Sequence, residues 1–355
     1  MDNLIHGGDI YSKRKNNTEL ILDLSANINP FGMPDSVKRA IIDNIESYTN
    51  YPDPLCRELR KALELHENIS FSNIICGNGA ADLIFKITLA LKPKKALLIA
   101  PTFAEYEEAL NLVNCEINCY NLKEENNFCI KEDILNYITT DLGIMFICNP
   151  NNPTGIPMKK VDMLNIVDKC KENNVVLVVD ECFIDFLIDE EEYSVSSYIT
   201  QYDNLIILKA FTKIYAMAGI RLGYMMCSNM NNVNKINNIG QPWSVSTVAS
   251  KSGVAALREV DYVKRTKEYI KDNREYLIKE LRGLGYKVFE SKANFILFKT
   301  KNTEIKDKLE EYGILIRSCS NYRNLNEEYF RIAVKSQENN KYLIDCLNKI
   351  ERQSE

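Results

Sequence analysis

Between about residues 70 and 230, short runs of apolar residues alternate with segments whose apolar positions recur at helical spacing. Residues 96–100 (Ala-Leu-Leu-Ile-Ala), 144–148 (Ile-Met-Phe-Ile-Cys), 175–179 (Val-Val-Leu-Val-Val) and 205–208 (Leu-Ile-Ile-Leu) are apolar at every position, not at every second one. A strand of that kind is covered on both faces, which predicts a buried, mostly parallel sheet with helices on either side. The intervening segments supply those helices. Leu83, Ile84, Ile87 and Leu91 fall on one face, as do Met163, Leu164, Val167 and Cys170, and both sets read as core faces, not sites.

After about residue 245 the pattern changes. Long charged helices (260–281, then 303–312) and strand-like runs at 294–299, 314–317 and 330–334 predict a second, smaller α+β unit. The expected division is a large domain over 41–244 and a small one built from 1–40 and 245–355, with the irregular stretch Asn27-Ile-Asn-Pro-Phe-Gly-Met-Pro34 packing with the C-terminal part. No repeat or low-complexity tract interrupts this organisation.

Composition narrows the function. A chain of 355 residues, 45% of them hydrophobic, can bury a full core. With 44 basic against 49 acidic residues there is no basic excess to follow a nucleic-acid backbone, so a small-molecule partner is expected and nucleic acid is not. The eleven cysteines are scattered, often inside apolar runs, and read as reduced core thiols in a cytoplasmic protein. With His6 and His66 the only histidines, no metal site is expected. The first residues lack a basic start followed by an apolar run, and no stretch approaches about 18 apolar residues, so neither a secretion signal nor a membrane span is expected.

Polar and glycine-containing residues gather at the C-terminal ends of the predicted strands, where open α/β sheets place ligands. Gly77-Asn-Gly-Ala80 follows one strand and opens a helix, offering backbone N–H groups to a phosphate, although an ordinary tight turn looks the same. Phe103 suits stacking on a flat heterocycle, or a place in the core. The loop Cys148-Asn-Pro-Asn-Asn-Pro-Thr-Gly155 ends another strand and suits an asparagine donor aimed at a phenolate. Asp180 can pair with a protonated pyridine nitrogen, or simply cap the next turn. Lys213 is followed eight residues later by Arg221: one amine for a Schiff base, one guanidinium for a phosphate, or two surface charges. An aldehyde cofactor that bears a phosphate, such as pyridoxal 5'-phosphate, needs both groups. Arg331 interrupts an apolar strand and there calls for an anion such as a carboxylate; Arg317 ends another apolar run and reads equally as a surface charge.

In this order and spacing, Asn152-Pro-Thr-Gly155, Asp180, Lys213 and Arg221 resemble the pyridoxal-phosphate-dependent aminotransferase family of fold type I, over nearly the whole chain. Within it, His6-Gly-Gly8, Ser25 to Pro34, Tyr51-Pro-Asp53, Phe103-Ala-Glu-Tyr106, Asp180 to Phe186, Gln241-Pro-Trp-Ser-Val245 and Ile316 to Tyr322 are similar to a decarboxylase branch close to the histidinol-phosphate aminotransferases. The resemblance implies decarboxylation of L-threonine O-3-phosphate in cobalamin biosynthesis, by a homodimer with its sites at the interface. Transamination of histidinol phosphate, decarboxylation of L-serine O-phosphate and a non-catalytic regulator are the alternatives. It further implies that Lys213 carries the cofactor, Asp180 meets the ring nitrogen, Asn152 the ring hydroxyl and Phe103 the ring face. Arg221, Thr212 and the backbone of Gly79 and Ala80 would hold the cofactor phosphate, with Tyr51 reaching it from the other subunit. Arg331 would take the substrate carboxylate beside Asn27, and Arg317 and His6 the substrate phosphate. Two positions depart from the wider family: Ala210 stands where a hydroxyl usually bonds the phosphate, and Phe183 where a tyrosine usually bonds the ring oxygen.

Overall fold

A computed structural model describes residues 7–11 and 22–353. Strand β1 (Leu22–Asp23) precedes the seven strands of the main sheet: β2 (Ile74–Gly77), β3 (Lys95–Ala100), β4 (Glu116–Asn121), β5 (Ile144–Cys148), β6 (Val176–Asp180), β7 (Leu205–Ala210) and β8 (Gly223–Cys227). Their spatial order is β2-β8-β7-β6-β5-β3-β4, with the pairs from β7 through β4 parallel and β8 antiparallel to both its neighbours.

Alternation along each strand divides the apolar residues between two cores. Leu97, Ile99, Met145, Ile147, Leu177, Val179 and Ile207 belong to one, and Leu98, Ile144, Phe146, Val178, Ile206 and Leu208 to the other. The helix Ala80–Leu91 covers the second face through Leu83, Ile84 and Ile87, with Leu91 only half-buried. The helix Lys160–Glu172 covers the first, where Met163, Val167 and Cys170 are joined by Ile166, while Leu164 lies toward the rim. Two strands depart from the expected pattern. The edge strand β4 is polar and half-exposed, and β8 runs against the parallel direction. Gly223 opens β8 because a Cβ there would stand 2.6 Å from the Ala80 nitrogen and 3.0 Å from the Lys209 carbonyl oxygen.

The C-terminal part forms an antiparallel sheet ordered β12-β13-β10-β9, from β9 (Lys287–Val288), β10 (Phe295–Lys299), β12 (Arg317–Ser318) and β13 (Tyr329–Ala333). The single strand expected over 314–317 is instead two. β11 (Ile314–Leu315) pairs in parallel with β1, and β12 then changes partner to β13. The apolar run hides that exchange because both halves are needed to cover the same core. Residues 22–29 are tied to the C-terminal part throughout: the Leu24 nitrogen donates to the Leu315 carbonyl at 2.8 Å, and Lys335 Nζ donates to the Ala26 carbonyl at 3.0 Å. The helix Val260–Gly283 spans between the sheets, burying Thr266, Ile270 and Leu277 along one stripe. No helix among the described residues is long and apolar enough to cross a membrane.

Candidate active site

The C-terminal ends of β5, β6 and β7 open into one cavity of about 340 Å³ lined by Asn152, Asp180, Thr212, Lys213, Arg221 and Arg331, together with Asn27, Ala80, Phe103 and Arg317. Most of the residues singled out in the sequence are therefore brought together. Three are not. Tyr51 is 81% exposed, outside the cavity of its own chain, with its ring stacked on Trp243 at 4.6 Å. His6 lies outside the described residues. The Gly79 N–H is turned away to the Gly77 carbonyl at 2.8 Å, so it is no free donor. Gly79 serves by having no side chain: at φ +88° its Cβ would stand 2.6 Å from Arg221 Nη2. The exposed N–H groups at this helix start belong to its first turn, from Ala80 onward.

Each side chain is placed by its local element. Lys213 lies in the one-turn helix Phe211–Ile214 directly after β7, and Asn29 pins that turn from the N-terminal strap. The Asn29 backbone nitrogen donates to the Lys213 carbonyl at 3.2 Å, and its amide donates to the Ile214 carbonyl at 2.7 Å. Burial, then the nearby charges of Arg331 and Arg221, lower the Lys213 amine to about 8. An amine so lowered is partly unprotonated near neutral pH and able to act as a nucleophile.

In the loop after β5, two of the three asparagines serve the loop itself. Asn149 accepts from the Met158 nitrogen at 2.8 Å and donates to the Tyr193 carbonyl; Asn151 donates to the Pro101 carbonyl at 3.0 Å and accepts from Thr102. Asn152 is left facing the cavity, where its Oδ1 accepts from Arg331 Nη1. That bond fixes the amide so that its Nδ2 is the group presented to a ligand.

Asp180, at the end of β6, is 4% exposed. Its Oδ1 accepts from the Cys182 nitrogen at 3.0 Å, the turn cap that its position allows, and its Oδ2 accepts from the Tyr106 hydroxyl at 2.7 Å. Phe103 flanks the cavity and meets Tyr106 edge-on, with ring centres 5.7 Å apart. Phe183 packs edge-on against Phe295 at 4.9 Å, and Ala210 also lines the wall, so neither departure from the family pattern is filled by a hydroxyl of its own.

Arg331 is 5% exposed within β13. Its Nη2 donates to the Ser25 carbonyl at 2.7 Å, while its Nε is buried with no hydrogen-bond partner among the described residues. Asn27 Oδ1 is likewise buried and unpartnered there. Buried polar atoms left in this way are uncommon and costly, and here both belong to residues lining one cavity. Across the antiparallel pair β12–β13, Arg317 is the direct register partner of Arg331, which puts both on one face of the sheet. Arg317 Nη2 also donates to Asn321 at 2.8 Å.

Pyridoxal 5'-phosphate fits this donor set. A lowered lysine amine, a buried carboxylate, an asparagine Nδ2 and an aromatic face surround a cavity whose end holds a helix N-terminus and Arg221. Arg221 adopts φ +62°, a left-handed conformation that a bulky residue holds only where the surroundings enforce it. Tyr106, Cys182, Ser25 and Asn29 receive no role in the site from sequence, although each falls within a stretch that carries the family resemblance.

The chain belongs to the aminotransferase class I and II family, whose model matches residues 19–347. Among individual proteins it is similar to the threonine-phosphate decarboxylase of Salmonella typhimurium, 36% identical over 98% of this chain and 97% of that protein. Among solved structures it is similar to the histidinol-phosphate aminotransferase of Clostridium acetobutylicum, with a TM-score of 0.88 and 31% identity over 94% of this chain and all (100%) of that one. It also shares the fold of the L-threonine-O-3-phosphate decarboxylase of Porphyromonas gingivalis, with a TM-score of 0.82 and 24% identity over 94% of this chain and 100% of that one.

Proposed function

We propose that this protein is a pyridoxal-phosphate-dependent carboxy-lyase that converts L-threonine O-3-phosphate to (R)-1-aminopropan-2-yl phosphate and CO2, as a cytoplasmic homodimer in cobalamin biosynthesis. The observation that carries this reading is the register pair Arg317 and Arg331, two cations on one sheet face that both line the cavity of Lys213. A substrate with both a carboxylate and a phosphate is complementary to two such cations. The 36% identity to the Salmonella threonine-phosphate decarboxylase supports the same substrate.

In this reading Asp180 meets the ring nitrogen, Asn152 Nδ2 donates to the ring oxygen, Phe103 covers a ring face, and Arg221, Thr212 and the Ala80 N–H hold the cofactor phosphate. When bound, pyridoxal 5'-phosphate supplies the conjugated system that accepts the electron pair freed at Cα as carbon dioxide leaves. Arg331 would clamp the α-carboxylate beside Asn27 and so fix the direction in which that group leaves. Lys213 Nζ would hold the cofactor through its amine and would be the group placed to return a proton to Cα. Arg317, with His6, restrains the substrate phosphate and limits the freedom of the Cβ–O bond, which suppresses loss of phosphate. Tyr51, exposed and stacked on Trp243, serves the site of the other subunit. Residues 41–244 form the cofactor domain, and 1–40 with 245–355 form the domain that carries the two arginines, a division supported by the separate sheets and by the pairing of β1 with β11.

The likeness to the Clostridium acetobutylicum enzyme favours transamination of a phosphorylated amine as a second reading. Serine phosphate differs from threonine phosphate by one methyl group, worth roughly 1–3 kcal/mol of discrimination. The purified protein, supplied with pyridoxal 5'-phosphate, should release CO2 from L-threonine phosphate faster than from L-serine phosphate, with no need for a keto acid. Amine loss from histidinol phosphate that requires 2-oxoglutarate, without CO2 release from either phosphoamino acid, would establish the second reading instead.

A further inference from the structure

We propose that Tyr106 is a positioning residue that sets how strongly Asp180 attracts the proton on the cofactor's ring nitrogen, an inference that rests on the cofactor reading above. Tyr106 is fully buried in the helix Glu105–Asn111. Its ring stacks on Phe146 of β5 at 5.1 Å and 15°, and meets Phe103 edge-on at 5.7 Å and 83°. The hydroxyl is thereby delivered to Asp180 Oδ2 at 2.7 Å, while the Cys182 nitrogen holds Oδ1 at 3.0 Å. With one donor on each oxygen the carboxylate is locked against rotation, and its remaining acceptor capacity is what it can offer to the cavity.

The two donors differ in what they can adjust. The Cys182 N–H is backbone and present whatever the side chain, whereas the Tyr106 hydroxyl is a choice made by sequence. A neutral donor on a buried carboxylate favours its ionised form and lowers its proton affinity. The ring nitrogen then keeps its proton, and the ring stays the stronger electron sink. Burial, reinforced by the charge of Asp180, pushes the Tyr106 phenol well above its usual range, so it remains a donor throughout the working pH. The other titratable groups facing this pair are Cys148 on β5, Cys182 in the following turn and Lys213. Burial pushes both thiols up and keeps them neutral, so they add no charge to the pair, and the Cys182 side chain, itself a hydrogen-bond neighbour of Asp180, is left in place in Tyr106→Phe. Tyr106 therefore touches two groups assigned to the ring, the carboxylate at its nitrogen and the aromatic side chain at its face, without lining the cavity itself.

The test is a pH titration of the visible absorbance of the cofactor-loaded protein, together with the affinity of the cofactor-free protein for pyridoxal 5'-phosphate. In Tyr106→Phe, Asp180 becomes more basic and draws the ring proton toward itself. The less cationic ring lets the lysine–cofactor linkage keep its proton to higher pH, so the midpoint should rise by roughly 0.5 pH units or more. Phe146→Leu loosens the packing that delivers the hydroxyl but keeps the donor itself, so its midpoint should rise by less than that of Tyr106→Phe. As a second measurement, 3-fluorotyrosine incorporated at position 106, a stronger donor, should move the midpoint down. An unmoved midpoint in Tyr106→Phe or in the fluorinated protein, or an equal rise in Phe146→Leu, overturns the proposal. A wild-type protein that takes up no cofactor on Lys213 would instead overturn the cofactor reading, a result distinct from an unmoved midpoint.

Discussion

Arg331 donates a hydrogen bond to Asn152 across 179 residues of chain, joining the small sheet to the loop that ends β5. In the proposed reading one group meets the substrate carboxylate and the other the cofactor ring, so this contact would couple the two. Asn152→Ala would leave Arg331 Nη1 buried without that acceptor and free to turn. A hydrogen bond to a charged group is worth about 1.5–3 kcal/mol, so kcat/KM should fall roughly 10- to 100-fold, with weaker cofactor affinity accompanying it. Steady-state kinetics and cofactor titration of the variant check both effects.

Lys213 is held at about 8, below the 10.5 of a free lysine, because burial and neighbouring cations oppose its charge. The unfolded chain therefore binds more protons between these values, and stability rises with pH across that window as far as this group is concerned. Below about pH 8 the full penalty is present, on the order of 3 kcal/mol. Cofactor-free Lys213→Met should melt higher than cofactor-free wild type at pH 7, and the gap should close as pH approaches 10. The same variant, mixed with pyridoxal 5'-phosphate and borohydride, should show no covalent adduct by mass spectrometry.

Arg317→Ala removes the cation assigned to the substrate phosphate. KM for threonine phosphate should rise at least about tenfold, and inorganic phosphate release per CO2 should increase, as the Cβ–O bond gains freedom to turn. A phosphate assay run beside the CO2 measurement reads the ratio. Unchanged KM with phosphate release at background would remove this role from Arg317.

Behind the site, Lys209 of β7 donates to both oxygens of Glu67, at 3.1 and 3.2 Å, and Tyr224 donates to the same carboxylate. Burial alone would raise the Glu67 carboxyl, but Lys209 and Tyr224 outweigh it and hold it below the usual range. Its contribution is present above the ordinary carboxylate value and is lost as pH falls through the depressed one. Glu67→Gln removes the hydrogen-bonded partner of a buried ammonium, leaving it only the more distant Asp185 and Glu181, and should destabilise the protein by about 2–4 kcal/mol at pH 7. Denaturant unfolding of the variant and the wild type, at pH 7 and again in acid, should show the difference narrowing at low pH.

Much of this organisation follows from local chemistry alone. The all-apolar runs at 144–148 and 205–208, alternating with helical segments, predict strands covered on both faces, and the polar residues that follow them fall at strand ends. Lys213, Asp180 and Arg331 were legible because a lysine after a strand, a carboxylate ending one and an arginine inside one each call for a partner. The polar edge strand β4 and the antiparallel β8 were not, since edge exposure and strand direction depend on neighbours far along the chain.

What the sequence determined by itself was therefore the class of sheet, most of the candidate residues and the family that their order resembles. The tertiary structure alone decided how they meet. It split 314–317 between two partners, opposed Arg317 to Arg331, turned the Gly79 N–H away from the cavity and brought Tyr106 onto Asp180. Strand propensity and turn chemistry act over a few residues, whereas register and hydrogen bonding between remote segments exist only once the chain has closed, and it is these that set the charge and direction of each group in the site.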